Sequence, residues 1–300
     1  MEILITGGAG FIGRHLVKLL LEKGEQVTIF DSFSNSTKKQ ISSIIKKGVK
    51  VIEGDIRNLS SINEATKNKD IVVHLAAKIS VVDSINNPAE TFEVNVDGTK
   101  NILSACKKNN IKKLIVASSA AVYGESSPNT KLTENSVTNP ISPYGESKIK
   151  MEEEIKEFTK ENNIDVIILR IFNIYGIGQT PEYAGVITKF LEKISENNPL
   201  EIFGDGLQTR DFVSVNDVVN SMYNAIQYGK NETFNIATGK AITIKELAEK
   251  MIAMSGKKID IKYLERKKGE IRHSYADISK AKEMIGYSPK FDLDKIKELF

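Results

Sequence analysis

The chain has 300 residues, 40% hydrophobic and 27% charged, with a formal net charge of +3. That composition suits one large globular domain or two smaller ones, and the charge is too small to argue for a nucleic-acid partner. A single cysteine, Cys106, excludes an internal disulfide and suits a reducing, cytoplasmic setting. No apolar run approaches the ~18 residues that span a bilayer, so no membrane partner is expected.

The chain opens directly on an apolar run, EILIT, and no signal peptide is expected. Val- and Ile-rich runs at residues 3–6, 26–30, 50–53, 71–75, 113–118 and 166–171 read as buried strands. Amphipathic helices are expected between several of them, at 11–23, 60–66, 88–109 and 144–162. Buried strands alternating with helices predict an α/β fold, a Rossmann-type doubly wound parallel sheet. Past residue 174 the alternation breaks into Gly- and Pro-containing stretches around a helix at 186–197. A helix at 215–228 and a strand at 233–236 return to the main sheet, followed by a helix from 244, a strand near 260–263 and a terminal helical stretch. This pattern predicts a smaller, discontinuous α/β substrate domain. Its pieces are 175–206 and 239–300, against 1–174 and 207–238 for the sheet domain.

Two motifs carry chemistry. In ILITGGAGFIGRHL, Gly7 permits a tight turn, Gly10 clears the approach of a pyrophosphate, and Gly13 lets helix and strand pack closely. The phosphates would sit on free N–H groups at the helix start, among Phe11, Ile12 and Gly13. Asp31 ends the second strand, where a carboxylate accepts from both ribose hydroxyls and repels a 2′-phosphate, so NAD is preferred over NADP; Lys38 and Lys39 weaken that preference. Asp55, after the third strand, reads either as an adenine contact or as a helix N-cap. The second motif is SPYGESK, whose Tyr144 and Lys148 share a helix face. A phenol is a poor base at neutral pH, and a nearby ammonium and the positive nicotinamide ring favour its phenolate. Ser118 and Ser119 end the preceding strand. The three histidines, His15, His74 and His273, have no metal-ligand spacing, so no metal is expected.

TGGAGFIG, GDIRN, HLAA, NVDGT, SSAAVYG, SPYGESK, RIFNIYG, GDGLQTRDFVSVNDV and KKGEIRHSYAD occur in order along nearly the whole chain. In these it resembles the extended short-chain dehydrogenase/reductases, most closely the NAD-dependent nucleotide-sugar epimerase/dehydratase family and its UDP-glucose 4-epimerase branch. The resemblance implies an NAD-binding sheet domain, a nucleotide-sugar-binding second domain, a UDP-sugar substrate and a homodimer. It makes Ser119, Tyr144 and Lys148 the catalytic triad and places Asn35, Asp55, Ile56, Ala76 and Asn95 along the cofactor. Asn173 would hold the sugar or its diphosphate, and Arg210 would grip the diphosphate, for which a forked guanidinium is suited. Otherwise Arg210 would form an ion pair with Asp211 or Asp205. Dehydratases of the family carry Asp-Glu after the serine; Ala120 and Ala121 stand there, and the Glu of the uronate decarboxylases is missing too. That leaves oxidation and re-reduction at C4. Lys267 takes the place of a family arginine, with Arg266 beside it and Glu270 following, and Ser274 occupies a gatekeeper position that is bulky in enzymes confined to glucose and galactose. A small Ser274 implies room for an N-acetyl group. A uronate epimerase or sugar reductase is the alternative, and a non-catalytic NAD sensor a more distant one.

Overall fold

The structure is a computed structural model that describes residues 1–128, 130–179, 185–266, 271–290, 293 and 296. Its strands are β1 (Glu2–Thr6), β2 (Gln26–Asp31), β3 (Lys50–Glu53), β4 (Ile71–His74), β5 (Lys113–Ser119), β6 (Asp165–Ile171), β7 (Asn173–Tyr175), β8 (Leu200–Phe203), β9 (Thr209–Ser214), β10 (Glu232–Ile236), β11 (Ala241–Thr243) and β12 (Ile261–Leu264). The helices are α1 (Phe11–Glu22), α2 (Ser42–Ile45), α3 (Leu59–Thr66), α4 (Val81–Asn86), α5 (Pro88–Phe92), α6 (Gly98–Lys108), α7 (Pro143–Glu161), α8 (Val186–Ser195), α9 (Val215–Tyr228), α10 (Ile244–Ser255) and α11 (Ser279–Ile285).

The Val/Ile runs form strands because both faces of the sheet are covered: β4 is buried at every position and β1 at all but its first. Seven strands pair in the order β10-β6-β5-β4-β1-β2-β3, all parallel. One face packs on Leu16, Val17 and Leu20 of α1 and Met222 and Ala225 of α9. The other packs on Ile102 of α6 and Met151 and Ile155 of α7. Each such side chain contributes about 1.5–3 kcal/mol on burial. From β1 the chain runs outward to β2 and β3, then crosses back to β4, so a crevice opens at the carboxyl ends of β1 and β4.

Beside this sheet a third apolar cluster joins Phe190 and Ile194 of α8, Leu200 and Ile202 of β8, and Leu247 and Met251 of α10. Two short sheets, β11-β9-β7 and β12-β8, flank it. The packing crosses the boundaries expected from sequence. Strand β9 joins the small sheet, while Ala276, Ile278, Ala281, Ile285 and Tyr287 pack into the large sheet's cluster. The expected continuous helix over 88–109 is divided into α5, a π-helical turn at Glu93–Asp97, and α6. The π turn inserts an extra residue and turns Asn95 inward, and Gly98 follows where a Cβ would lie 2.6 Å from Ile56 Cδ1. Among the described residues no helix is long and apolar enough to cross a membrane.

Candidate active site

A cleft of about 1020 Å³ runs from the Gly7 turn across the ends of β4 and β5 and between the two lobes. At its first end, Gly7 adopts φ +70°, with its missing Cβ only 2.7 Å from Ala76 N. Helix α1 then starts at Gly10 without a side-chain cap and without an acidic residue in its first turn. Phe11, Ile12 and Gly13 line the cleft there, so helix-start N–H groups and the positive end of the helix dipole are available to an anion. Asp31 is nearly buried; its Oδ2 accepts from Ala9 N at 2.9 Å and its Oδ1 from Phe33 N at 2.8 Å. These bonds fix the carboxylate while it still lines the cleft. A dinucleotide fits this cradle, with pyrophosphate on α1 and ribose on Asp31.

Lys38, expected to soften the preference for NAD, is taken by Glu53 at 2.7 Å. Wild-type protein should therefore bind NAD about 10²-fold more tightly than NADP. Asp31→Asn should narrow that ratio about tenfold, as measured by fluorescence titration of both cofactors; equal affinities in the wild type would refute the assignment. Asn35, Ile56 and Ala76 line the same end. So does Asp55, whose carboxylate takes the Arg57 guanidinium at 2.6 Å and is held below the usual carboxylate range by that bond. The N-cap alternative for Asp55 falls away because Asn58 caps α3. Asn95 is buried beside the wall, with Oδ1 accepting from Lys78 N at 2.8 Å and Nδ2 donating to Lys78 O and Ser147 Oγ. It secures the cleft-lining loop after β4.

The middle of the cleft holds Ser119, Tyr144 and Lys148. Ser119 ends β5, and its Oγ accepts from Ala121 N at 3.1 Å. Helix α7 begins at the Ser142 cap with Pro143 at its first position, which sets Tyr144 in the first turn. Ser119 and Tyr144 line the same stretch of the cleft. Burial raises the Tyr144 pKa above its ordinary value, and the nearby Ser119 hydroxyl opposes this. Lys148 is buried, with Nζ 2.9 Å from Ala117 O and 6.0 Å from the Tyr144 ring centroid. Burial pushes its ammonium down to about 8, with Glu152 opposing. At neutral pH the pair is therefore a phenol beside an ammonium, and positive charge at the cleft favours transfer of the phenol proton.

Beyond the triad, Asn173 and Arg210 line the far lobe with Phe190, Phe203 and Gln208, which the sequence did not single out. Arg210 Nη1 donates to Thr209 O at 2.8 Å. Its expected ion-pair partners are engaged elsewhere: Asp205 with Arg272 at 2.7 Å, and Asp211 with Thr238 and Gly239. Ser274 is buried beside the wall, its N–H donated to Thr209 O at 3.2 Å. Lys267 lies outside the described residues. Among the described residues there is no cluster of potential metal ligands.

A dinucleotide cradle joined to a Ser-Tyr-Lys proton-transfer site defines a short-chain dehydrogenase/reductase-type enzyme. The profile of the NAD dependent epimerase/dehydratase family matches residues 3–237, and the chain belongs to that family. A protein of Methanocaldococcus jannaschii is 42% identical over 296 residues, 97% of this chain and 94% of its own length. UDP-glucose 4-epimerase from Thermotoga maritima, solved with UDP-glucose, superposes with a TM-score of 0.95 at 34% identity, covering 100% of this chain and 97% of its own. UDP-N-acetylglucosamine 4-epimerase from Methanobrevibacter ruminantium, solved with UDP-N-acetylmuramic acid, gives 0.91 at 37% identity, covering 99% and 94%.

Proposed function

We propose that this enzyme reversibly inverts C4 of a UDP-hexose, either UDP-glucose/UDP-galactose or UDP-GlcNAc/UDP-GalNAc. The observation that carries the reading is the convergence of Ser119, Tyr144 and Lys148 on one cleft, with Ala120 and Ala121 following the serine. Two methyls transfer no proton, so the site supports removal and return of a C4 hydrogen and no elimination. Bound NAD supplies a hydride acceptor that gives back what it takes. Tyr144 Oη takes the C4 hydroxyl proton and later returns one, Ser119 Oγ hydrogen-bonds the same sugar oxygen, and Lys148 keeps positive charge beside the phenol. Arg210 and Asn173 hold the sugar nucleotide while the oxidised hexose turns to present its other face. In this reading residues 175–206 and 239–300 supply most of the nucleotide-sugar lobe, and the chain assembles as a homodimer. A C6 carboxylate would call for a cation. Arg14, Arg57 and Lys78 in the wall are committed to Gly178 O, Asp55 and Glu90, whereas Lys189 of α8 also lines the cleft, so uronates belong in the test.

The test is a panel of UDP-sugars, assayed by product epimer analysis on protein purified without added cofactor. Turnover of a UDP-hexose pair without added NAD is expected. Turnover of uronates alone would replace this reading. The small Ser274, bonded through its backbone to Thr209 beside Arg210, supports acceptance of the N-acetylated pair, and Ser274→Tyr should lower turnover of that pair more than turnover of the glucose pair. Wild-type protein inert towards UDP-GlcNAc would remove that assignment.

A further inference from the structure

Beneath the triad lies a charged pair that the proposed chemistry does not use. Glu152 and Arg170 are 2% and 3% exposed. Arg170 Nη2 donates to Glu152 Oε2 at 2.7 Å and Nε to Oε1 at 3.0 Å. Arg170 Nη1 donates on to Tyr123 Oη at 2.9 Å, and Tyr123 Oη donates to Asn235 Oδ1 at 2.6 Å. The remaining Glu152 bond comes from Ser118 Oγ, which donates to Oε1 at 2.6 Å. Ser118 sits between Ala117, whose carbonyl accepts from Lys148 Nζ, and Ser119, which lines the cleft with Tyr144. Glu152 is also four residues after Lys148, one turn along the same buried face of α7.

From this juxtaposition we infer that Glu152 is a positioning residue for the proton-transfer pair: it clamps the end of β5 at Ser118 and supplies the counter-charge that keeps Lys148 an ammonium. Other groups do not take this part. His74 of β4, which feels the Lys148 charge, is held by Thr6 and Thr99 and is kept neutral by burial, with a pKa of about 3. Tyr144 on α7 is a neutral phenol, and β5 contributes only Ala117, Ser118 and Ser119 near Lys148. On the helices and π turn that pack against α7, Glu90 pairs with Lys78, Glu93 with Arg57 and Asp97 with Lys100, and Asp83 is exposed. Lys113 and Asp165 sit at the opposite ends of β5 and β6. Arg170 of β6 is the cation paired with Glu152 beneath Lys148. Its charge is masked by Glu152 itself, so loss of the Glu152 carboxylate both withdraws attraction and exposes repulsion.

The kinetic part of this inference rests on the proposed epimerase reading, and the titration part does not. The Lys148 amine is titrated by NMR of protein carrying 13Cε-lysine, its resonance assigned by loss in Lys148→Arg, beside the pH profile of kcat. In Glu152→Gln the Lys148 midpoint should fall by about one pH unit, and the alkaline break in kcat should move down with it. Glu152→Asp, which draws the charge back by one methylene, should give a smaller fall and decides the matter if the Gln variant does not fold. Ser118→Ala keeps the charge but removes the clamp; it should lower kcat about tenfold with the break unmoved. An unmoved Lys148 midpoint in the Glu152 variants, with only thermal stability reduced, would overturn the counter-charge role. Wild-type kcat in Ser118→Ala would overturn the clamp. A wild-type protein inert towards every UDP-sugar would refute the functional reading instead, leaving the lysine titration to decide this one.

Discussion

Tyr144→Phe should cut kcat by about 10²- to 10⁴-fold, the range expected when a positioned acid–base group is removed, and should leave NAD affinity within about twofold of wild type. Phenylalanine fills the same volume, and the tyrosine backbone N–H still donates to Ser84 Oγ at 3.1 Å. What disappears is the hydroxyl that faces Ser119 and Lys148 in the cleft. The pH profile separates this loss from a general disturbance. Burial holds the phenol above its ordinary pKa, so wild-type activity should rise with pH as Tyr144 loses its proton, aided by the positive charge around it. The rise should stop above about 8, where Lys148 becomes neutral and that aid is withdrawn. The rising limb belongs to Tyr144 and should be absent from the residual rate of the variant. Rapid-quench and steady-state assays on the best UDP-hexose measure both effects. Retention of more than a tenth of wild-type kcat by Tyr144→Phe would exclude the phenol as the proton carrier.

The parts of the site that were legible in the sequence are those built within a single strand–turn–helix unit. Gly7, Gly10 and Gly13 with Asp31, and Ser119 with Tyr144 and Lys148, all line the one cleft, because short strand ends and helix starts fix their directions. The π turn that carries Asn95 was not legible, because nothing in the spacing of NVDGT announces an inserted residue. The strands β7 and β11 have three residues each, too few for alternation to stand out from loop sequence. Gln208 and Phe190 become neighbours only when separate pieces of chain fold into the far lobe. Glu152 stands in the run MEEEIKE, which reads as a solvated helix face. Yet the buried positions Lys148, Met151, Glu152 and Ile155 follow the 3.6-residue period, placing one of its glutamates in the core. The signal was there, in a charge occupying an apolar register, and its partner Arg170 lay eighteen residues away on the next strand.

Substitutions in the glycine turn should separate two kinds of damage that motif reading treats as one. At Gly7 a side chain has nowhere to go. The residue is left-handed at φ +70°, and a Cβ would stand 2.7 Å from Ala76 N and 2.9 Å from Leu75 C, both backbone atoms that cannot swing aside. Gly7→Val combines left-handed strain with overpacking, together about 3 kcal/mol, and should lower the melting temperature of the cofactor-free protein by about 10 °C. Gly13→Ala should act in the same direction, since its Cβ would lie 2.6 Å from Gly8 Cα. Gly10 differs. Its φ is −68°, and the one close atom to its Cβ is Gly7 O at 3.2 Å. A side chain there is tight against that one oxygen only, a smaller conflict than at Gly7, and projects at the start of α1, where the pyrophosphate must come against the N–H groups. Gly10→Val should therefore melt within about 2 °C of wild type while binding NAD at least about 10²-fold more weakly. Differential scanning fluorimetry of cofactor-free protein, with NAD titrations beside it, measures both quantities. Gly10→Val with intact NAD affinity would remove the pyrophosphate from the α1 terminus, and an unperturbed Gly7→Val would show that the turn has another conformation open to it.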